Sequence, residues 1–262
     1  MSQKYVGLPP HPPPCRVLSL TVIPFSDDSP DKGAPPQSES ISANATAKDC
    51  LFPMGWTSEN VAQDYNISRD VMDTFAAQSF QRAEHADKFG YFTKEIVPFT
   101  VSVNDKDPAT GTTSRRRVTV TKDDGIRYGT TKESLLKIRS AFPQWGYGRT
   151  TGGNASQITD GAAAVLLMTR RNGRGTRIDY SRETCVPPRV MGIGPVYAIP
   201  MVLKNAGLDV SDVDLFEINE AFASQYVYCV QKLGLDPDKV NVNGGAIAFG
   251  HPLDKSLFSL AS

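Results

Sequence analysis

The feature that most constrains the fold is an alternation in the second half of the chain. Residues 161–168 (GAAAVLLM) form a short, continuous apolar run, suited to a strand buried on both faces. Pro195 sits at the first turn of a helical pattern that runs through Ala206, with Gly207 placed to stop it. Residues 215–218 (LFEI) then read as a strand and residues 220–233 as a further helix. Strand, helix, strand, helix in that order predicts a layered α/β fold.

Upstream, the patterning is of a different kind. Ser68 is placed to cap a helix in which Met72, Phe75, Ala76, Ser79, Phe80 and Ala83 recur at three- and four-residue spacing, with Gly90 at its end. His85 falls on this helix and reads as a solvated surface residue. Residues 95–103 and 117–121 are β-rich and predict two strands, joined by a polar excursion through Asp107, Pro108 and Gly111. Thr130 with Glu133 fits a capping box ahead of Leu135, Leu136 and Ile138. Residues 1–48 stand apart. Nine of the 19 prolines lie within the first 36 positions, including Pro12, Pro13 and Pro14, so this stretch reads as an irregular tail. The arginine-rich residues 169–189 read as a solvated loop in preference to a phosphate-binding patch.

Composition excludes several classes. Forty per cent apolar and 21% charged residues rule out wholesale disorder and a collagen-like chain. Twenty-eight basic residues balance 28 acidic ones, so no global field draws the chain to nucleic acid or an anionic membrane. No apolar run is long enough for a membrane span. Cys15, Cys50, Cys185 and Cys229 are widely spaced and show no C-x-x-C pairing, which favours reduced thiols. With His11, His85 and His251 as the histidines, no metal-ligand spacing emerges, and no metal site is expected.

Three segments look chemical. Gly152-Gly153-Asn154-Ala155-Ser156 is small and polar, a loop in which a ligand could approach backbone donors. Asn219-Glu220-Ala221-Phe222 lies at the C-terminal end of a predicted strand, the edge where open α/β sheets bind ligands. Asn243-Gly244-Gly245-Ala246 leads to Gly250-His251-Pro252, a histidine held on a glycine-rich loop.

Taken together and in order, TGGNASQITDGAAAVLLM, VMGIGPVYAIP, DVDLFEINEAFASQ and NVNGGAIAFGHPL resemble the thiolase family. DCLFPMGWTSENVAQDYNISRD is similar to the loop domain of its degradative, peroxisomal 3-ketoacyl-CoA branch. The resemblance implies an α/β thiolase-like fold, layered α/β/α/β/α but incomplete, with a loop domain. It divides the chain into the tail (1–48), a loop domain (49–150), the end of the N-terminal half (151–170), a divergent loop (171–185), the start of the C-terminal half (186–253) and an unrelated tail (254–262).

Thiolases transfer an acyl group between a 3-ketoacyl-CoA and CoA in fatty-acid β-oxidation, with coenzyme A as substrate and no permanently bound cofactor. The resemblance assigns catalysis to His251, which activates a cysteine and contributes to an oxyanion hole, and to Asn219, which orients a water at that hole. It assigns contacts with CoA or the acyl chain to Ser156, Met54 and Phe222. It also implies a homodimer and a peroxisomal location, although neither terminus shows a targeting signal and the cytoplasm stays open. Cys15, in Pro14-Cys15-Arg16-Val17, is unlike the family's Cys-x-Ser-Gly nucleophile segment, and no Cys-x-Gly-x-Gly segment follows Pro252. The expectation is therefore a chain that is inactive in isolation and lacks much of the family's dimer interface. A non-catalytic CoA or acyl-CoA binder and an interaction partner of a complete thiolase subunit are the alternatives.

Overall fold

The computed structural model describes residues 15–17, 39, 43–44, 53–106, 111–145, 147–159, 166–168 and 186–252. Helices build its centre. Helix α1 (Met54–Asp64) and the long α2 (Arg69–Lys88) come first, and α3 (Lys132–Leu136) follows. Then come α4 (Gly194–Ala206), α5 (Ala223–Leu233) and the four-residue α6 (Ala246–Phe249). Short 3-10 turns at Pro188–Ile193, Val210–Asp212 and Pro237–Lys239 connect them. Two antiparallel pairs are present among the described residues. Strand β1 (Cys15–Val17) pairs with β4 (Leu166–Met168), and β2 (Phe99–Lys106) pairs with β3 (Thr113–Val120) in the register Phe99 to Val120 and Val101 to Val118.

Helix α2 forms where its pattern predicts. The Ser68 hydroxyl accepts from the Val71 N–H at 3.3 Å, and Gly90 follows the last turn at φ +71°. Its stripe of Met72, Phe75, Ala76, Phe80 and Ala83 is buried against Tyr226, Val227 and Val230 of α5 and Ile247 and Ala248 of α6. The Phe75 and Tyr226 rings stack at 3.7 Å between centroids. Helix α4 also forms as predicted, with Pro195 in its first turn and Gly207 in the left-handed region at φ +67°. Its apolar run buries Leu203, while Tyr197 and Val202 face solvent.

Several predicted boundaries move. The capping box belongs to Thr131 and Ser134 rather than to Thr130 and Glu133, because the Thr130 hydroxyl is already committed to the Arg127 carbonyl at 2.6 Å. The hairpin strands run over Phe99–Lys106 and Thr113–Val120, with Asp107 and Pro108 outside the described residues. The strand expected over 161–168 is seen as Leu166–Met168, and the rest of that run, like the loop through 171–185, most of residues 1–48 and the tail 254–262, lies outside the described residues.

Residues 215–218 do not form a strand. They make one parallel bridge, Phe216 to Val240, and there the ladder stops. At the next position the Asn241 side chain takes the place of a strand, accepting from the Ile218 N–H at 2.8 Å and donating to its carbonyl at 2.7 Å. The following helix starts at Ala223 rather than Glu220, because Phe222 is extended (φ −146°, ψ 144°) and bridges to Ala155.

Candidate active site

Three segments converge where α5 begins and α6 ends. The first, residues 150–159, runs beside Ala221 and Phe222. The Ser156 N–H donates to the Ala221 carbonyl at 3.0 Å, and the Ala223 N–H donates to the Asn154 carbonyl at 2.9 Å. The second is the segment Asn219 to Phe222. The third continues α6 into Gly250-His251-Pro252 and is anchored by the His251 N–H, which donates to the Gln157 carbonyl at 2.6 Å.

This arrangement brings Asn219 and His251 together. Asn219 Nδ2 lies 3.3 Å from His251 Nε2, across 32 residues of sequence. Both side chains are half-buried. Burial holds the His251 imidazole below its ordinary pKa of 6.5 and so favours the neutral ring at neutral pH. With the ring proton on Nδ1, Nε2 accepts from the Asn219 amide; in the other neutral tautomer an Nε2–H stands beside that amide as a second donor. Two converging donors in a partly dehydrated recess stabilise an oxygen that gains negative charge.

Glu220, next to Asn219, is a pillar of the site that motif reading alone left without a role. It is 1% exposed, and its carboxylate accepts from the Ser79 hydroxyl (2.6 Å), Asn241 Nδ2 (2.8 Å) and the Ile247 N–H (3.2 Å). Burial raises its pKa, and those three donors pull in the opposite direction. The Gly245 backbone lies so close that a Cβ there would sit 2.4 Å from the Glu220 carboxyl carbon. Glu217, half-buried nearby, is pushed up to about 7, first by burial and then by the charge of Glu220.

The loop at 152–156 is tied into the protein by part of its backbone: Asn154 Oδ1 accepts from the Thr151 N–H at 2.8 Å, the Gly153 N–H donates to the Thr151 hydroxyl at 3.1 Å, and the Ser156 N–H donates to Ala221. Asn154 Nδ2 reaches the fully buried Asp73 at 2.8 Å, which joins the loop to α2. Ser156 and Phe222 lie in adjoining segments at the edge of the Asn219–His251 site. Met54 lies on a different element, the helix whose Ser58 hydroxyl bonds to Thr150 and Ser224 at 2.8 Å each. It opens α1, 46% exposed, and its carbonyl accepts from the Thr57 hydroxyl at 2.7 Å.

Cys229 lies on α5, fully buried, with its thiol 3.7 Å from the Gly192 carbonyl and pushed up to about 12 by burial. Such a thiol is a packing residue and not a nucleophile. Among the described residues no group of three or more His, Cys, Asp or Glu is placed to hold a metal ion. Among them, too, no helix is long and apolar enough to cross a membrane.

Two family models match this chain, thiolase N-terminal domain over residues 31–171 and thiolase C-terminal domain over residues 174–258. The chain belongs to the thiolase family. It is 52% identical over 247 residues to the peroxisomal 3-ketoacyl-CoA thiolase of Homo sapiens, a match covering 91% of this chain and 55% of that protein. It is 50% identical over 224 residues to the counterpart from Yarrowia lipolytica, covering 83% and 52%. Among solved structures, the dimeric peroxisomal thiolase of Saccharomyces cerevisiae superposes with a TM-score of 0.69 at 46% identity, over 84% of this chain and 53% of that one. Human mitochondrial 3-ketoacyl-CoA thiolase superposes with a TM-score of 0.66 at 38% identity, over 93% and 58%. This thiolase chain thus spans about half the length of the curated relatives it matches, and its α/β fold is theirs in part.

Proposed function

We propose that this chain carries the oxyanion side of a 3-ketoacyl-CoA thiolase site, with Asn219 and His251 as the groups that meet the thioester oxygen. The observation that carries the reading is their 3.3 Å approach beside the buried Glu220. In thiolysis the bond between C2 and C3 of a 3-ketoacyl-CoA breaks, and its electron pair is delocalised onto the thioester carbonyl of the departing acetyl-CoA. The oxygen gains the charge. A neutral imidazole N–H, and an amide acting directly or through a water it orients, stabilise that charge where it develops. Ser156, Phe222 and Met54 are proposed to contact CoA or the acyl chain, with coenzyme A as the substrate and no resident cofactor. The relatives' names support a peroxisomal location, and the dimer named for the yeast enzyme supports a paired assembly.

The reaction also needs a thiolate to carry the acyl group. Cys229 is sealed in the core with its thiol pushed up to about 12, so it does not fill that role. Together with the unlikeness of the sequence around Cys15 to the family's nucleophile segment, this leads us to propose that the 262-residue chain by itself binds CoA thioesters without turning them over. Incubation of the purified chain with acetoacetyl-CoA and CoA tests this, with acetyl-CoA release as readout and calorimetry with acetoacetyl-CoA alongside. Binding heat without acetyl-CoA release is expected. Turnover that is lost in His251→Ala would overturn the inactivity, and no heat at millimolar ligand would overturn the binding.

A further inference from the structure

We propose that Gln157 is the positioning residue of His251, a clamp that sets the distance between the imidazole and Asn219. The inference rests on reading Asn219 and His251 as one site. Gln157 grips the segment ahead of His251 at both of its own ends. Its main-chain carbonyl accepts the His251 N–H at 2.6 Å, within a parallel bridge between Ile158 and His251. Its side-chain Nε2 lies 2.9 Å from the Gly125 carbonyl, 3.2 Å from that of Ile247 and 3.2 Å from that of Ala248. An amide NH₂ has two protons, so the three acceptors share them.

Those acceptors matter because of where they sit. Helix α6 has four residues, too few to pair its own final carbonyls, and such orphan groups need an outside donor. Gln157 supplies it immediately before the turn that presents His251. Close packing leaves little freedom around the clamp. A Cβ on Gly125 would lie 2.7 Å from the Phe249 carbonyl oxygen, and one on Gly250 would lie 2.2 Å from the Thr159 methyl. Gly250 also has φ +107°, a conformation that side-chain-bearing residues rarely adopt.

The Ile247 backbone completes the connection. Its N–H donates to Glu220 at 3.2 Å, one residue from Asn219, and its carbonyl accepts from Gln157. A single residue is therefore held from the Asn219 side by a carboxylate and from the His251 side by a carboxamide, through the two peptide groups that flank its Cα. Loss of the carboxamide frees the carbonyl side of Ile247, and with it the turn that carries the imidazole.

Gln157→Met keeps the side-chain length and removes the donors. With the chain's three histidines resolved by NMR, His251 is expected to titrate below the ordinary value in the wild type. In Gln157→Met its midpoint should rise toward about 6.5 as the ring becomes hydrated, and its backbone amide should exchange about tenfold faster. An unchanged His251 titration and unchanged amide exchange in a folded Gln157→Met would overturn the proposal. If that variant does not fold, the wild type decides: slowly exchanging Gln157 side-chain protons support the clamp, and exchange at the free-amide rate overturns it. Acetoacetyl-CoA separates this inference from the functional reading. A titration that moves in Gln157→Met while the thioester leaves the wild-type His251 signal untouched would keep the clamp and remove the site's assignment.

Discussion

Replacing Gly245 by alanine strikes the point where the packing around Glu220 is tightest. Gly245 has φ −152° and ψ −157°, an extended conformation open to any residue, so the substitution introduces no backbone strain. The cost is steric. The new Cβ would sit 2.4 Å from the Glu220 carboxyl carbon and 2.6 and 2.7 Å from its oxygens. Carbon atoms pack comfortably at 3.5–4.0 Å, so the carboxylate must retreat by about 1 Å. Glu220 has no free space to enter, being 1% exposed and tied to Ser79, Asn241 and Ile247. Overpacking of this kind costs about 1–3 kcal/mol, and each weakened bond to a charged group adds to it, giving an expected loss of about 3–5 kcal/mol. Urea unfolding followed by circular dichroism measures it. Gly152→Ala is the control, because a Cβ there meets nothing within 4 Å, and a change within about 0.5 kcal/mol is expected. Glu220→Asp, shorter by one methylene, should recover part of the loss in the double variant. A loss below about 1 kcal/mol for Gly245→Ala would refute the picture of a jammed, fully engaged carboxylate.

Two further outcomes follow from buried charge. Glu217 is pushed up from 4.5 to about 7, so its favourable contribution is complete below pH 4.5 and is lost as pH rises through 7. Glu217→Gln should therefore leave stability unchanged at pH 4 and raise it at pH 8; the shift bounds the gain at roughly 3 kcal/mol, and partial exposure reduces it to about 1–2 kcal/mol. Equal stability of both proteins across that range would contradict the burial of Glu217. Asp73 is fully buried, 2.5 Å from Arg69 Nε and 2.8 Å from Asn154 Nδ2, and Arg69 also donates to the carbonyls of Leu135 and Ile138. Asp73→Ala leaves Arg69 without its carboxylate and Asn154 Nδ2 without one acceptor, and because Arg69 keeps its two carbonyls and is partly exposed, a destabilisation of about 2–3 kcal/mol is expected in the same urea assay.

The parts of this molecule legible in the sequence are those set by local chemistry. Ser68 and the apolar stripe from Met72 to Ala83 define α2 from its own residues, and Pro195 with Gly207 brackets α4 in the same way. Asn219 could be singled out from its place at the end of the predicted strand 215–218, and His251 from its place between Gly250 and Pro252 after a glycine-rich segment. What stayed hidden depends on partners far along the chain. Nothing near Leu215 signals that Asn241 replaces a strand beside Ile218, since the two are 23 residues apart. The start of α5 moved because Phe222 is held extended against Ala155, a tertiary demand that overrides helical propensity, while the Glu220 side chain just before it is engaged by α2 and α6. Gln157 is harder still to foresee. Its side chain serves carbonyls 32, 90 and 91 residues away, and a glutamine in a polar loop carries no local mark of such a task.

Asn219 and His251 are proposed to face the oxygen of a CoA thioester. The most direct measurement is an NMR titration of the full chain with acetoacetyl-CoA, following the His251 ring and the Asn219 side-chain amide together, with His85 as reference. Saturable shifts of both signals at one common affinity, with His85 unmoved, are the predicted result. Saturable binding that leaves both signals in place would show that the thioester sits elsewhere and would contradict the account.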